Sequence, residues 1–159
     1  MAASKSRHRR SAGIVLWRQR GGALEVLLVH PGGPFWAKRD GGAWSIPKGE
    51  YEPGDDPLGA ARREFEEELG TPPPDGEPLE LGEIKQKSGK LVCAWALEGD
   101  LDATAAHSNT FTIEWPSHSG QVREFPEVDR AEWFGLDQAR EKINPAQAAL
   151  LDRLAEGGP

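Results

Sequence analysis

Cysteine, methionine and tyrosine occur once each in this chain, and only four histidines are present. The lone Cys93 has no partner for an internal disulfide, and its setting, Leu91-Val92-Cys93-Ala94-Trp95, reads as a strand. A reducing cytoplasm is the location this implies. His8, His30, His107 and His118 form no spaced cluster, so a Cys/His zinc site is excluded and no role is assigned to them. No apolar run approaches the roughly 18 residues of a membrane span. Residues Met1 to Ser11 are basic through Lys5, Arg7, Arg9 and Arg10, but no apolar stretch follows as in a secretory signal. They read as a disordered tail, residues 1–11, before a single domain over residues 12–156. The length of 159 residues leaves little room for a second domain, and 6 Trp and 5 Phe are enough for one core.

Basic residues are the minority, and the excess of acid is concentrated. The formal net charge is −7. Between Gly49 and Gly70, Glu50, Glu52, Asp55, Asp56, Glu64, Glu66, Glu67 and Glu68 face only Arg62 and Arg63. An acidic protein repels polyanions, so no specific nucleic-acid partner is expected. Acid gathered in one segment points instead to a site for cations.

Around this segment the chain alternates strand and turn signals. Ala12–Trp17 and Glu25–His30 are β-rich and separated by Gly21-Gly22, which predicts a hairpin. Pro31 to Gly42 reads as a loop with an exposed Phe35-Trp36 pair, and Trp44-Ser45-Ile46 as a short strand ending at Pro47. Asp56 is a good helix N-cap, Pro57 suits the first helical position, and Gly70 with Pro72-Pro73-Pro74 stops the helix. Leu58, Ala61, Phe65 and Leu69 fall within about 80° of arc, giving it an apolar stripe. A second hairpin is predicted over residues 79–97 around Ser88-Gly89, then strands at Asn109–Trp115 and Ala131–Phe134. A short helix over Leu136–Ile143 and a last helix capped by Asn144-Pro145 complete the pattern. A mixed sheet flanked by helices follows, in the α+β or α/β/α sandwich class.

Glu64, Glu67 and Glu68 stand at i, i+3 and i+4, within about 100° of arc beside that stripe. They repel one another, and they occupy the last turns, where the helix dipole disfavours anions. Such violations cluster at functional sites. A solvated acidic face softened by the Arg62–Glu66 and Arg63–Glu67 pairs would also produce this spacing. If a cation binds here, oxygen ligands favour Mg²⁺ or Mn²⁺.

The wider pattern decides between these. Gly49, five residues, Asp55, seven residues, then Arg63-Glu64-Phe65-Glu66-Glu67-Glu68-Leu69-Gly70-Thr71 resembles the box of the Nudix hydrolases. Gly49, Arg63, Glu64, Glu67, Glu68 and Gly70 match its fixed positions, and Phe65 its bulky one; Asp55 stands for Glu and Thr71 for an aliphatic residue. The resemblance implies a Nudix-type sandwich with a catalytic loop-helix-loop, and a divalent-metal-dependent pyrophosphohydrolase acting on a nucleoside diphosphate derivative. A dinucleoside polyphosphate or nucleoside triphosphate is the expected substrate. It implies that Glu67 and Glu68 bind metal, with Glu64 as ligand or proton acceptor and the Gly49 carbonyl as a further ligand. Arg63 would orient the carboxylates. The departure at Asp55 leaves that position's role open, with Glu52 or Asp56 as substitutes, and admits a catalytically weak nucleotide-binding or regulatory module as the alternative.

Outside the box, Trp44-Ser45-Ile46-Pro47-Lys48-Gly49 is similar to the approach in family members acting on dinucleoside or inositol polyphosphates. There Lys48 would contact substrate phosphate, or stand as an ordinary solvated lysine. Many members carry a carboxylate in the loop before a Trp-Phe strand, which nominates Glu127 as ligand or general base, with Glu124 and Asp129 as competitors. Phe35, Trp36 and Trp44 are the aromatics that would stack on a base; Trp44 reads at least as well as core or edge packing, and Trp36, in a Gly-rich loop, is the better placed. The oligomeric state is not legible, and a homodimer stays open.

Overall fold

The computed structural model describes residues 9–157. Strands β1 (Arg10–Arg20) and β2 (Ala23–Pro31) form the expected hairpin, in register from Trp17 opposite Val26 to Arg20 opposite Ala23. Gly21 and Gly22 between them have φ of 61° and 83°, the left-handed pair that a two-residue turn demands. Strand β3 (Lys48–Glu50) pairs antiparallel with the start of β1. Helix α1 (Pro57–Leu69) follows, then β4 (Leu79–Lys85) and β5 (Leu91–Glu98), the latter parallel to β1. A two-stranded hairpin, β6 (Thr110–Glu114) and β7 (Val122–Pro126), stands apart from the main sheet. Strand β8 (Val128–Gly135) returns to pair with β2, and α2 (Leu136–Lys142) and α3 (Ala148–Gly157) close the chain. The main sheet runs β4-β5-β1-β2-β8, with β3 added to β1.

The central strands are apolar throughout because both faces are covered. Ile14, Leu16, Leu27 and Val29 pack against Ala61, Phe65 and Leu69 of α1. Val15, Val26 and Leu28 turn the other way, toward Trp44, Leu150, Leu151 and Leu154. Three layers result, as the binary pattern implies. Helix α1 is bounded as its punctuation predicts: Asp56 accepts from the Gly59 N–H at 3.0 Å, and Gly70 takes a left-handed φ of 79°.

Four sequence expectations change. Trp44-Ser45-Ile46 makes only single bridges, Ser45 to Val29 and Trp44 to Ile143, and the true strand lies beyond Pro47. The Ile46 N–H is taken by the Gln147 side chain at 3.1 Å, so no ladder can form there. Strand β7 is not legible in the sequence, because only Phe125 among its residues is shielded from solvent and the alternation is faint. The last helix begins at Ala148, after a 3₁₀ turn at Pro145–Gln147 capped by Asn144. Of the segment read as a tail, residues 1–8 lie outside the described residues, while Arg10 and Ser11 belong to β1 and Ser11 is buried. Among the described residues no helix is long and apolar enough to cross a membrane.

What positions the site is the close approach of β3 to β1. A Cβ on Gly13 would lie 2.7 Å from the Pro47 carbonyl oxygen and 2.8 Å from the Lys48 Cβ. We predict that Gly13→Ala destabilises the fold by about 1–3 kcal/mol, as overpacking does. Chemical denaturation checks this, and an unchanged midpoint would show that the strands can part at no cost.

Candidate functional site

Strand β3 delivers Gly49 directly beneath α1. A Cβ there would fall 1.9 Å from Oε1 of Glu64, so only glycine leaves room for that carboxylate. Arg63 reaches along the helix, with one guanidinium nitrogen 3.3 Å from Glu64 Oε2 and Nε 3.9 Å from Glu67 Oε2. Exposed as it is, this fork contributes little stability; it lies beside both carboxylates.

The fourth carboxylate arrives from far along the chain through backbone hydrogen bonds. The Asn109 N–H donates to the Glu67 carbonyl at 2.9 Å, and the Glu127 N–H donates to the Asn109 carbonyl at 2.9 Å. The Gly32 N–H then donates to the Glu127 carbonyl, also at 2.9 Å. His107 N–H meets the Leu69 carbonyl at 3.2 Å, so segment 107–109 satisfies carbonyls that a helix end leaves unpaired. Ser108 Oγ accepts from the Val128 N–H at 2.9 Å and holds the same junction from the other side. The competitors are engaged elsewhere. Glu124 accepts from the Thr110 hydroxyl at 2.6 Å, and Asp129 pairs with Nδ1 of the buried His30 at 2.7 Å.

The four glutamates share one electrostatic field. Burial pushes the Glu64 carboxyl up, the charges of Glu67 and Glu127 add to this, and Arg63 opposes it. Burial, and then Glu67, raise Glu127. Burial carries Glu68 furthest, up to about 8, with Glu64 and Glu127 adding and Lys48 pulling back. Glu68 Oε1 is buried with no hydrogen-bond partner. Such an atom is costly unless something positive meets it. Among the described residues, no three acidic, His or Cys side chains converge into a ready-made ion cage. The donor set itself, carboxylate oxygens with one orphaned and no sulfur or imidazole, fits a hard divalent cation.

The remaining expected residues sort by geometry. Lys48 is half-buried; loss of solvent and the neighbouring Lys90 lower its pKa, while Glu68, Glu50 and Glu64 support its charge. It stands against the cluster instead of in open water. Asp55 does not join: its carboxylate accepts from the Glu52 N–H at 3.1 Å and its own N–H returns to the Glu52 carbonyl, closing an exposed turn. Trp44 is core, with Nε1 on Asp40, whereas Trp36 is 40% exposed with the Arg39 guanidinium 5.4 Å from its ring. Asn109 and Ser108 carry no signal in the sequence, since Asn109 acts through its backbone N–H and carbonyl and the Ser108 hydroxyl through a contact with Val128 that no spacing encodes. A hollow of about 660 Å³ lined by Arg18, Arg20 and Trp133 involves none of these glutamates and lies toward the far end of β1.

The NUDIX domain family model matches residues 7–154. The chain belongs to the Nudix family. Its mixed sheet and helices are the Nudix fold, shared with solved structures of low identity. The Caenorhabditis elegans Ap4A hydrolase binary complex is 24% identical with a TM-score of 0.63, over 92% of this chain and 96% of that one. The NUDIX domain of Shewanella oneidensis NrtR, solved with ADP ribose, is 16% identical with a TM-score of 0.63, over 94% of this chain and 87% of that one. An octanoyltransferase of Myxococcus xanthus is 30% identical over 134 residues, 84% of this chain but 33% of that protein. The chain thus spans about a third of the length of that curated relative.

The elevated Glu68 generates a pH prediction for the metal-free Nudix protein. The folded state holds a proton that the unfolded chain releases near 4.5, so stability is full below that pH and is lost as pH rises toward about 8. Thermal unfolding across this window should show the decline, and Glu68→Gln should flatten it. A stability that rose with pH there, unaltered by the substitution, would contradict a buried unpaired carboxylate.

Proposed function

We propose that this chain is a divalent-cation-dependent pyrophosphohydrolase that cleaves a phosphoanhydride bond in a nucleoside diphosphate derivative. A dinucleoside polyphosphate or a nucleoside triphosphate is the substrate class, and the cytoplasm its location. The observation that carries this reading is the buried, unpartnered Glu68 Oε1 within a group of mutually repelling glutamates.

In this reading Glu67 and Glu68, with Glu64, Glu127 and the Gly49 carbonyl, hold Mg²⁺, or Mn²⁺ in its place. When bound, the cation neutralises diphosphate charge and makes water a better nucleophile. Glu64 and Glu127 are both raised by burial, which makes either carboxylate a better acceptor of the water's proton. Glu64 is further aimed by Arg63. Water adds to phosphorus, the bridging P–O bond breaks, and two phosphorylated products leave. Lys48 and Trp36 contact phosphate and base respectively.

Asp55 gives a second reading some support. Spent on its own turn, it adds no carboxylate to the cluster, as in a Nudix-fold module that binds a nucleotide without cutting it. A panel of diadenosine polyphosphates, nucleoside triphosphates and ADP-ribose with Mg²⁺ separates the two. Turnover is expected, with Glu67→Gln reducing it roughly 100-fold. Mg²⁺-dependent binding without turnover would transfer the assignment to the module. Failure of calorimetry to detect any uptake of Mg²⁺ or Mn²⁺ would remove both readings.

A further inference from the structure

The end of β2 meets the start of β8 where the backbone ladder is incomplete, and a side chain makes the join. Pro31 has no N–H to donate, and the Val128 N–H opposite it goes to Ser108 Oγ. Pairing steps from His30 opposite Arg130 to Pro31 opposite Val128, so Asp129 is an extra residue in β8. Such a bulge re-aims a side chain. Asp129 turns to the face that His30 occupies, although strict alternation would send it to the other. The fully buried His30 ring has Nδ1 2.7 Å from Oδ1 of Asp129 and Nε2 2.6 Å from the Arg39 carbonyl oxygen. A carbonyl oxygen carries no hydrogen, so Nε2 is a donor. Asp129, partly exposed and with Arg130 Nε 4.0 Å away, presents a carboxylate, which also only accepts. Both ring nitrogens donate.

We propose that His30, through this double donation, is a positioning residue that fixes where Glu127 stands in the glutamate group. The inference rests on the reading of Glu127 as part of the cation site. His30 lies two residues from Gly32, and Asp129 lies two residues from Glu127. The Gly32 N–H donates to the Glu127 carbonyl at 2.9 Å, so the His30–Asp129 contact closes a small ring of chain around that bond. Two residues span at most roughly 7 Å, which leaves Glu127 little freedom once the ring is shut. The bond from Nε2 to the Arg39 carbonyl folds the rest of the loop back onto the same imidazole, so Gly32 is held from both directions. Glutamine, whose amide has donors at one end only, cannot serve both acceptors in this way.

The test compares His30→Gln, Asp129→Leu and Asp129→Asn in the full chain. In proton–nitrogen NMR spectra of the parent, both ring N–H groups of His30 should be visible. A ring with a single N–H would overturn the double donation and the inference with it. Hydrogen exchange of the Gly32 amide should quicken roughly 10- to 100-fold in His30→Gln and Asp129→Leu, the worth of a hydrogen bond to a charged group. Asp129→Asn, whose side-chain oxygen still accepts from Nδ1, should keep most of the protection. Amides of β1 and β5 should be unchanged; equal quickening there would mark His30 as an ordinary core residue and overturn the proposal. Asp129→Leu, at a partly exposed position, carries the comparison should His30→Gln fail to fold. With Mg²⁺ and a diadenosine polyphosphate, His30→Gln should lower kcat roughly 10- to 100-fold with KM nearly constant. It should add little to the loss already caused by Glu127→Gln, and full additivity would overturn the coupling to Glu127. If the parent turns over no substrate, the hydrolase reading falls, and Mn²⁺ affinity from calorimetry replaces kcat in the same cycle. Absence of Mn²⁺ uptake as well would overturn both.

Discussion

Like charges do not gather unless something stiffer than their repulsion holds them. Here the restraint is backbone: a run of peptide hydrogen bonds leads from the end of α1 through Asn109 and Glu127 to Gly32. It ties three distant stretches of chain at one place. The carboxylates are consequences of that framework, and their field is what the sheet and helix are arranged to tolerate. Removing any single glutamate would relieve repulsion, and the cation proposed for this site would relieve it as well.

Local signals made part of this legible in the sequence. Asp56, Pro57 and Gly70 bound α1 because each satisfies or terminates the helix by itself, and the i, i+3, i+4 spacing follows from helix geometry alone. The Gly21-Gly22 turn is likewise a property of two adjacent residues. Glu127 could be named only as one of three acids in a loop. Choosing among them requires knowing that Glu124 and Asp129 are engaged by Thr110 and His30, contacts that no spacing encodes.

Where the reading failed, a long-range contact outbid a local preference. Trp44-Ser45-Ile46 has strand-forming residues, yet Gln147, from the far end of the chain, takes the amide that a ladder would need. Strand β7 is held by pairing with β6 and has little apolar pattern of its own. The turn closed by Asp55 is short-range, and the Glu52-Asp55 spacing was the available clue.

The parallel pairing of β1 with β5 has a kinetic corollary. Those strands are separated in sequence by β2, β3, α1 and β4, so their alignment requires closing a long loop before any contact rewards it. The acidic helix lies inside that loop, and Glu127 lies beyond it. A nascent chain leaving the ribosome therefore displays the helical acids well before the residue that completes their set. The cation affinity proposed above would accordingly arrive late in folding, as a property of the assembled sheet and not of the acidic segment alone.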